Sequence, residues 1–258
     1  MIVEFIGSSG AGKTTLARML QRRGGMTRPV MLAADMVMDR PGRRWIHNPK
    51  MMNLIADVTA LPSFLRASDH DREFVRFAFN RLRRHAPSRF SKFNYMREVV
   101  RNVGMYELAR GVAEEATILT DEGTVLTAYH LFVYSEAPFN QTDLERFARL
   151  VPQPDRVVYV KAPHHVLVDR AMRRPDRRRE LATGDRTEVE HWIARAQEVF
   201  EGLVVAEPIR DRLLIVDNAD SSPDSQEAAT ARIAAFINEQ PPADHAAKPS
   251  ASPDMSRT

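Results

Sequence analysis

The chain has 258 residues, 43% apolar and 28% charged, a composition that supports a packed core and excludes a chain disordered throughout. Its 37 basic and 34 acidic residues nearly cancel, so a broad nucleic-acid-binding surface is not expected, and with no cysteine there are no disulfides, thiolate metal sites or cysteine nucleophiles. No apolar run reaches the ~18 residues of a membrane span, and the N-terminus has no basic signal-peptide region, so neither a membrane partner nor export is expected and the default location is cytoplasmic.

Ile2–Ile6 is a short β-branched run ended by a Gly/Ser cluster and reads as a buried strand. Thr14–Arg23 has helical spacing through Leu16, Met19 and Leu20, and Gly24-Gly25 stops it. Pro29–Ala34 is a second strand candidate, with Asp35 just past its end. From about residue 45 to 115 no strand is apparent. Leu54, Ile55, Val58 and Leu61 share one helical face, as do Phe74, Phe77 and Leu82, and Pro62 and Pro87 divide the region into three or four helices whose apolar stripes are expected to be core.

Ala116–Thr120 reads as a third strand, Arg156–Lys161 as a fourth and Arg212–Val216 as a fifth. Helices are expected over Val166–Arg174, over Glu188–Phe200 with Trp192, Ile193, Ala196 and Phe200 inward, and over Ala228–Ile237. Strands alternating with helices argue for an α/β fold, a parallel sheet covered on both faces. One domain spans residues 1–238, and the Pro-, Ala- and Ser-rich stretch 239–258 reads as a disordered tail.

Gly7-Ser8-Ser9-Gly10-Ala11-Gly12-Lys13-Thr14 matches G-x-x-x-x-G-K-[ST] at every specified position, between a predicted strand and a predicted helix. Glycines let successive backbone N–H groups point into one concavity and donate to phosphate oxygens, and the following helix presents the positive end of its dipole to the same anion. Lys13 would place its ammonium between the β- and γ-phosphates, Thr14 would ligate Mg²⁺, and Thr15 would donate to the α-phosphate. The implied cofactors are a nucleoside triphosphate and Mg²⁺.

Asp121 ends the third strand, where a carboxylate can hold Mg²⁺ directly or through water. Glu122 next to it could orient an acceptor, reach the metal through water or cap a helix. Asp35 could accept the proton of a hydroxyl nucleophile or hold it in line. Arg170, Arg173 and Arg174, followed by Arg177–Arg179, would repel one another unless an anion joins them, and bidentate phosphate pairing is their natural use. No aromatic residues interleave with them, which argues against a nucleic-acid surface.

In this order the motifs resemble P-loop kinases of the nucleoside monophosphate kinase type, thymidylate kinases in particular. The residues that carry the resemblance are the strand–GSSGAGKTT–helix start, Asp121-Glu122-Gly123 followed by Thr127-Ala128-Tyr129-His130, the Pro154-Asp155-Arg156-Val157-Val158-Tyr159-Val160 strand and Leu214-Ile215-Val216-Asp217. The resemblance implies a three-layer P-loop NTPase fold with strand order 2-3-1-4-5 and ATP as the triphosphate. Arg170 would then lie near the adenine, Asn218-Ala219 would flank the base, and Arg174 with the segment to about residue 187 would form a lid. It also allows for a homodimer through helices beside the sheet. The acceptor side departs from the family: Asp121-Glu122 stands where thymidylate kinases carry Asp-Arg, their Arg-Glu-Pro-Gly motif is absent, and the helical region is enlarged. Arg43, Arg44, Arg97 and Arg101 could bind an anionic acceptor. The expected activity is transfer of the γ-phosphate of ATP to a nucleotide, nucleoside, sugar or related small molecule. The rival is a nucleotide-dependent regulatory ATPase or switch whose helical region binds a partner protein.

Overall fold

The computed structural model describes residues 1–38, 49–86, 88–134, 137–174 and 185–239. Strand β1 (Ile2–Ile6) is fully buried, as a short run of β-branched and aromatic residues at the centre of a sheet must be. It pairs in parallel with β3 (Thr117–Thr120) on one side and β4 (Arg156–Lys161) on the other. Strands β2 (Val30–Leu32) and β5 (Leu213–Asp217) form the edges, so the order is β2-β3-β1-β4-β5, all parallel. This is the expected P-loop α/β architecture.

The period-two alternation of the strands sorts the two cores. Val3, Phe5, Val158, Val160 and Val216 face a layer that includes α1 (Lys13–Arg22) and α10 (Pro223–Asn238), through Leu16, Leu20 and Ile233. Ile6, Val157 and Tyr159 face the opposite layer, where Phe74, Phe147 and Phe200 are buried. That layer is built by α4 (Asp69–His85), α5 (Arg89–Val112), α6 (Gln141–Leu150) and α8 (Arg186–Val204).

Several boundaries differ from the sequence expectation for local reasons. The second strand stops at Leu32, because Ala33-Ala34-Asp35-Met36 are better helix formers and begin α2 (Ala33–Met38) at once. Asp35 therefore sits in a helical first turn and not at a strand end. Pro62 does not divide the helical region but lies inside α3 (Pro49–Leu65), near its end, where it removes a single hydrogen bond. The break comes at Ser68: its hydroxyl accepts the Asp71 N–H while the Asp71 carboxylate accepts the Ser68 N–H, a reciprocal cap that starts α4.

The largest correction concerns the apolar stripe of α3. Leu54, Val58 and Leu61 are exposed, and among the described side chains of this helix Ala60 is the fully buried one. A Cβ on Gly104 of α5 would lie 2.3 Å from the Ala60 carbonyl oxygen, so the two helices pack backbone to backbone through small residues. With Ala60 turned to α5, the wider stripe is left outside.

Helix α6 starts at an Asn140–Asp143 capping box. Helix α7 (His164–Met172) follows β4, and the single turn α9 (Glu207–Arg210) precedes β5. A π-helical turn covers Tyr129–Val133, and its Leu131 and Phe132 carbonyls accept from the Arg81 and Arg195 guanidinium groups, both at 2.8 Å. Most of the expected lid, residues 175–184, and the expected tail from residue 240 lie outside the described residues, as does Arg40–Arg44.

One charged residue sits inside the sheet. Glu4 of β1 is 1% exposed, and its carboxylate accepts the backbone N–H groups of Leu126 at 2.7 Å and Val125 at 3.1 Å and the Thr124 hydroxyl at 3.4 Å. Burial pushes its carboxyl from about 4.5 up to about 7, and the donated hydrogen bonds only partly oppose that. Below pH 4.5 the folded and unfolded chains both hold this proton. Between 4.5 and 7 only the folded chain does, so its stability should fall as pH rises across that window. We expect the urea midpoint of the wild type to drop from about pH 5 to about pH 7.5, and Glu4→Gln to flatten that drop; parallel profiles would remove Glu4 as its source.

Candidate active site

The phosphate loop leaves β1 at Gly7, whose φ is +133°. A Cβ there would lie 2.2 Å from the Val160 carbonyl oxygen, so the loop can pass over β4 only as glycine. Gly12 turns the chain into α1 at φ +94° and offers no side-chain cap to the first helical turn. That turn and its dipole are thereby presented to an anion. The Lys13 ammonium is curled over the loop, donating to the Gly7 and Ser8 carbonyls at 2.7 and 3.0 Å. The Ser8 hydroxyl is buried without a hydrogen-bond partner, and the Ser9 N–H donates to the Tyr129 hydroxyl at 3.2 Å.

Because β3 lies next to β1, its C-terminal end comes beside the start of α1. The Thr14 hydroxyl donates to the Asp121 carboxylate, which brings together the two residues expected to ligate a metal. Both are hard oxygen donors, the set Mg²⁺ prefers when it keeps several waters. Among the described residues no group of three or more His, Asp or Glu could hold a metal. A metal between Thr14 and Asp121 would complete its shell with water or with phosphate oxygens.

A cleft of about 630 Å³ opens over the loop, lined by Gly10, Gly12, Lys13, Thr14 and Thr15, with Asp121, Glu122 and Arg174 also on its wall. Arg18 and Arg22 line it too, two residues that the sequence reading missed. The signal was present: Thr14, Arg18 and Arg22 are four residues apart and share one face of α1.

A second, smaller pocket of about 240 Å³ shares Thr14, Arg18, Asp121 and Glu122 with the cleft. Its further walls are mainly apolar, from Leu32, Val37, Leu119 and Met105, with Asn53, Arg101 and Asn102 as polar groups. The Asn102 amide donates to the Gly123 carbonyl at 3.1 Å and so anchors the turn that carries Asp121 and Glu122. A Cβ on Gly123 would lie 2.4 Å from the Glu4 carboxylate, so the same turn also rests against the buried charge.

The other candidates divide. Arg170 donates to the Asn218 and Ala219 carbonyls at 2.8 and 3.0 Å and to the Ser221 hydroxyl at 2.6 Å. The Asn218 amide in turn donates to the Ala11 carbonyl at 2.7 Å, so Arg170, Asn218 and Ala219 form one unit beside the phosphate loop. Asp35 accepts from the Gln21 amide at 2.6 Å and lines neither cavity. Its helical placement turns it toward α1. Arg101 reaches the small pocket but also contacts Asn53 at 3.2 Å and Asp57 at 3.7 Å, whereas Arg97 pairs with Asp57 at 3.3 Å and does not line the pocket. Arg43, Arg44 and Arg177–Arg179 lie outside the described residues. No described helix is long and apolar enough to cross a membrane.

No protein-family model matches the chain, and no curated protein sequence does. Among solved structures it is similar to a shikimate kinase from Acinetobacter baumannii in complex with shikimate, at 16% identity over 92% of each chain and a TM-score of 0.39. That distance assigns no substrate.

The Thr14–Asp121 pairing makes a specific expectation for metal. Asp121→Asn should weaken triphosphate binding in the presence of Mg²⁺ by about tenfold or more and leave binding in EDTA little changed, because only the metal-dependent part is lost. Calorimetric titrations with and without Mg²⁺ check this; an equal loss in both would mean that Asp121 acts on the loop and not through a metal.

Proposed function

We propose that this protein is a P-loop kinase that transfers the γ-phosphate of Mg-ATP to a small-molecule acceptor held in the 240 Å³ pocket. The observation that carries this reading is that the phosphate cleft and the smaller pocket share Thr14, Arg18, Asp121 and Glu122. An acceptor in the pocket would face the end of a triphosphate lying on the loop, the in-line arrangement phosphoryl transfer requires. A nucleotide switch needs the cleft and has no use for the adjoining pocket.

In this reading the loop N–H groups and Lys13 hold the β- and γ-phosphates. Mg²⁺, held by Thr14, Asp121 and water, would neutralise charge on the phosphate oxygens. Arg18, Arg22 and Arg174 supply the positive charge that stabilises the spreading negative charge of the transferred group. Glu122 lines both cavities and would accept a hydrogen bond from an acceptor hydroxyl, which Asp35, lining neither cavity, would not. Arg170 acts through the Asn218–Ala219 turn as a positioning residue at the base side. The resemblance to nucleoside monophosphate kinases favours ATP over GTP. The acceptor is a nucleotide, nucleoside, sugar or related molecule, and the mainly apolar walls favour one that presents few charges to the pocket.

The test is ADP release from Mg-ATP with pooled nucleoside monophosphates, nucleosides, and sugars or sugar phosphates. One pool should raise turnover well above the acceptor-free rate, and Lys13→Ala should lower that rate by about 100-fold or more. Glu122→Gln should lower kcat with a smaller change in KM for the acceptor. Slow ADP release that no pool changes would overturn the kinase reading in favour of a regulatory ATPase.

A further inference from the structure

Helix α3 carries Met51, Leu54, Val58, Leu61 and Leu65 on its outer face, exposed by 51, 59, 62, 50 and 67%. The steps between them are three, four, three and four residues. That is the 3.5-residue repeat by which one helix packs along another. The stripe is about 21 Å long at the rise of an α-helix. Isolated exposed apolar residues are ordinary; five in register along one helix are not.

From this stripe we infer that α3 is the self-association surface of the protein, pairing with α3 of a second copy about a two-fold axis beside Val58. Three observations select a second copy as the occupant. The spacing is nearly unchanged when read backwards, so an antiparallel partner sets Met51 against Leu65, brings Leu54 within one residue step of Leu61, and places Val58 against its own counterpart. A two-fold interface requires this self-complementarity. Between Met51 and Leu65 the only ionisable side chain is Asp57, and it is turned away from the stripe toward Arg97 and Arg101. Identical helices therefore meet without like charges between Met51 and Leu65. Finally, the exposed fractions correspond to roughly 500 Å² per copy, or about 1,000 Å² for the pair, the threshold for a biological interface and the size of a weak, reversible one.

The pairing bears on the site as well. The other side of α3 supplies Asn53 and Ala56 to the small pocket. Ala60 presses on α5 at Gly104. In the dimer each α3 would lie between its own α5 and the second copy, so the pocket wall is backed by the interface. The inference does not depend on what the pocket binds.

Sedimentation equilibrium of the full chain over about 1–100 µM should give twice the 29.3 kDa chain mass at the upper end. Val58→Glu and Val58→Lys each place like charges together at the two-fold axis and should weaken the dimer by about 100-fold or more. Because Val58 is exposed in the monomer, both variants should keep the wild-type circular dichroism. An equimolar mixture of the two should restore the dimer, since opposite charges then meet. A wild-type monomer throughout the range, whether its stripe is covered by another part of the chain or by a different protein, would overturn the proposal. So would a dimer that both variants leave intact, or a mixture that does not recover.

Discussion

Gly7 passes over β4 with no room for a side chain, and this close approach fixes where the phosphate loop lies on the sheet. From it follow the direction of α1 and the place of Thr14 at its start. Parallel pairing then brings β3 along the other side of β1, and Asp121 reaches Thr14. The pair joins residues 107 positions apart. Their meeting depends on strand order rather than on any local preference of either segment.

Polar groups beneath the surface hold the surrounding loops to this frame. Glu4 collects the N–H groups at the start of the 124–127 segment, Asn102 takes the Gly123 carbonyl, and Asn218 takes the Ala11 carbonyl. Each replaces water that a loop carbonyl or amide would otherwise require. An unpaired buried polar group costs about 1–3 kcal/mol, so these three side chains hold the turn after β3, the phosphate loop and the β5–α10 turn in the positions where those bonds are made. Arg170 continues the same pattern at the Asn218 and Ala219 carbonyls.

The helical region shows how packing selects among apolar residues. On α3 the larger residues form the more regular stripe, yet Ala60 is the one buried against α5, because a glycine at 104 lets the backbones close. The leucines are left in a register that suits another helix.

How much was legible in advance follows the range of the interactions. β1 and β4 were read at their observed ends, since a buried parallel strand is a local apolar run bounded by turn residues. The glycine-rich loop, Lys13 and Thr14 were likewise legible, because cradling phosphate demands those residue types in consecutive order. Arg18 and Arg22 could have been found from their four-residue spacing after Thr14. Nothing local marked Glu4 as a structural carboxylate, Asn102 as an anchor, or Asp35 as bound to Gln21 and turned from both cavities. The same holds for the outward face of α3. The sequence by itself determined the strands, the phosphate loop and the alternation that makes a parallel sheet, all of which are written in local patterns of residue type. Only the tertiary structure decided which carboxylate meets Thr14, which polar groups are buried as anchors and which apolar faces remain outside, because each of those depends on distant segments competing for the same space.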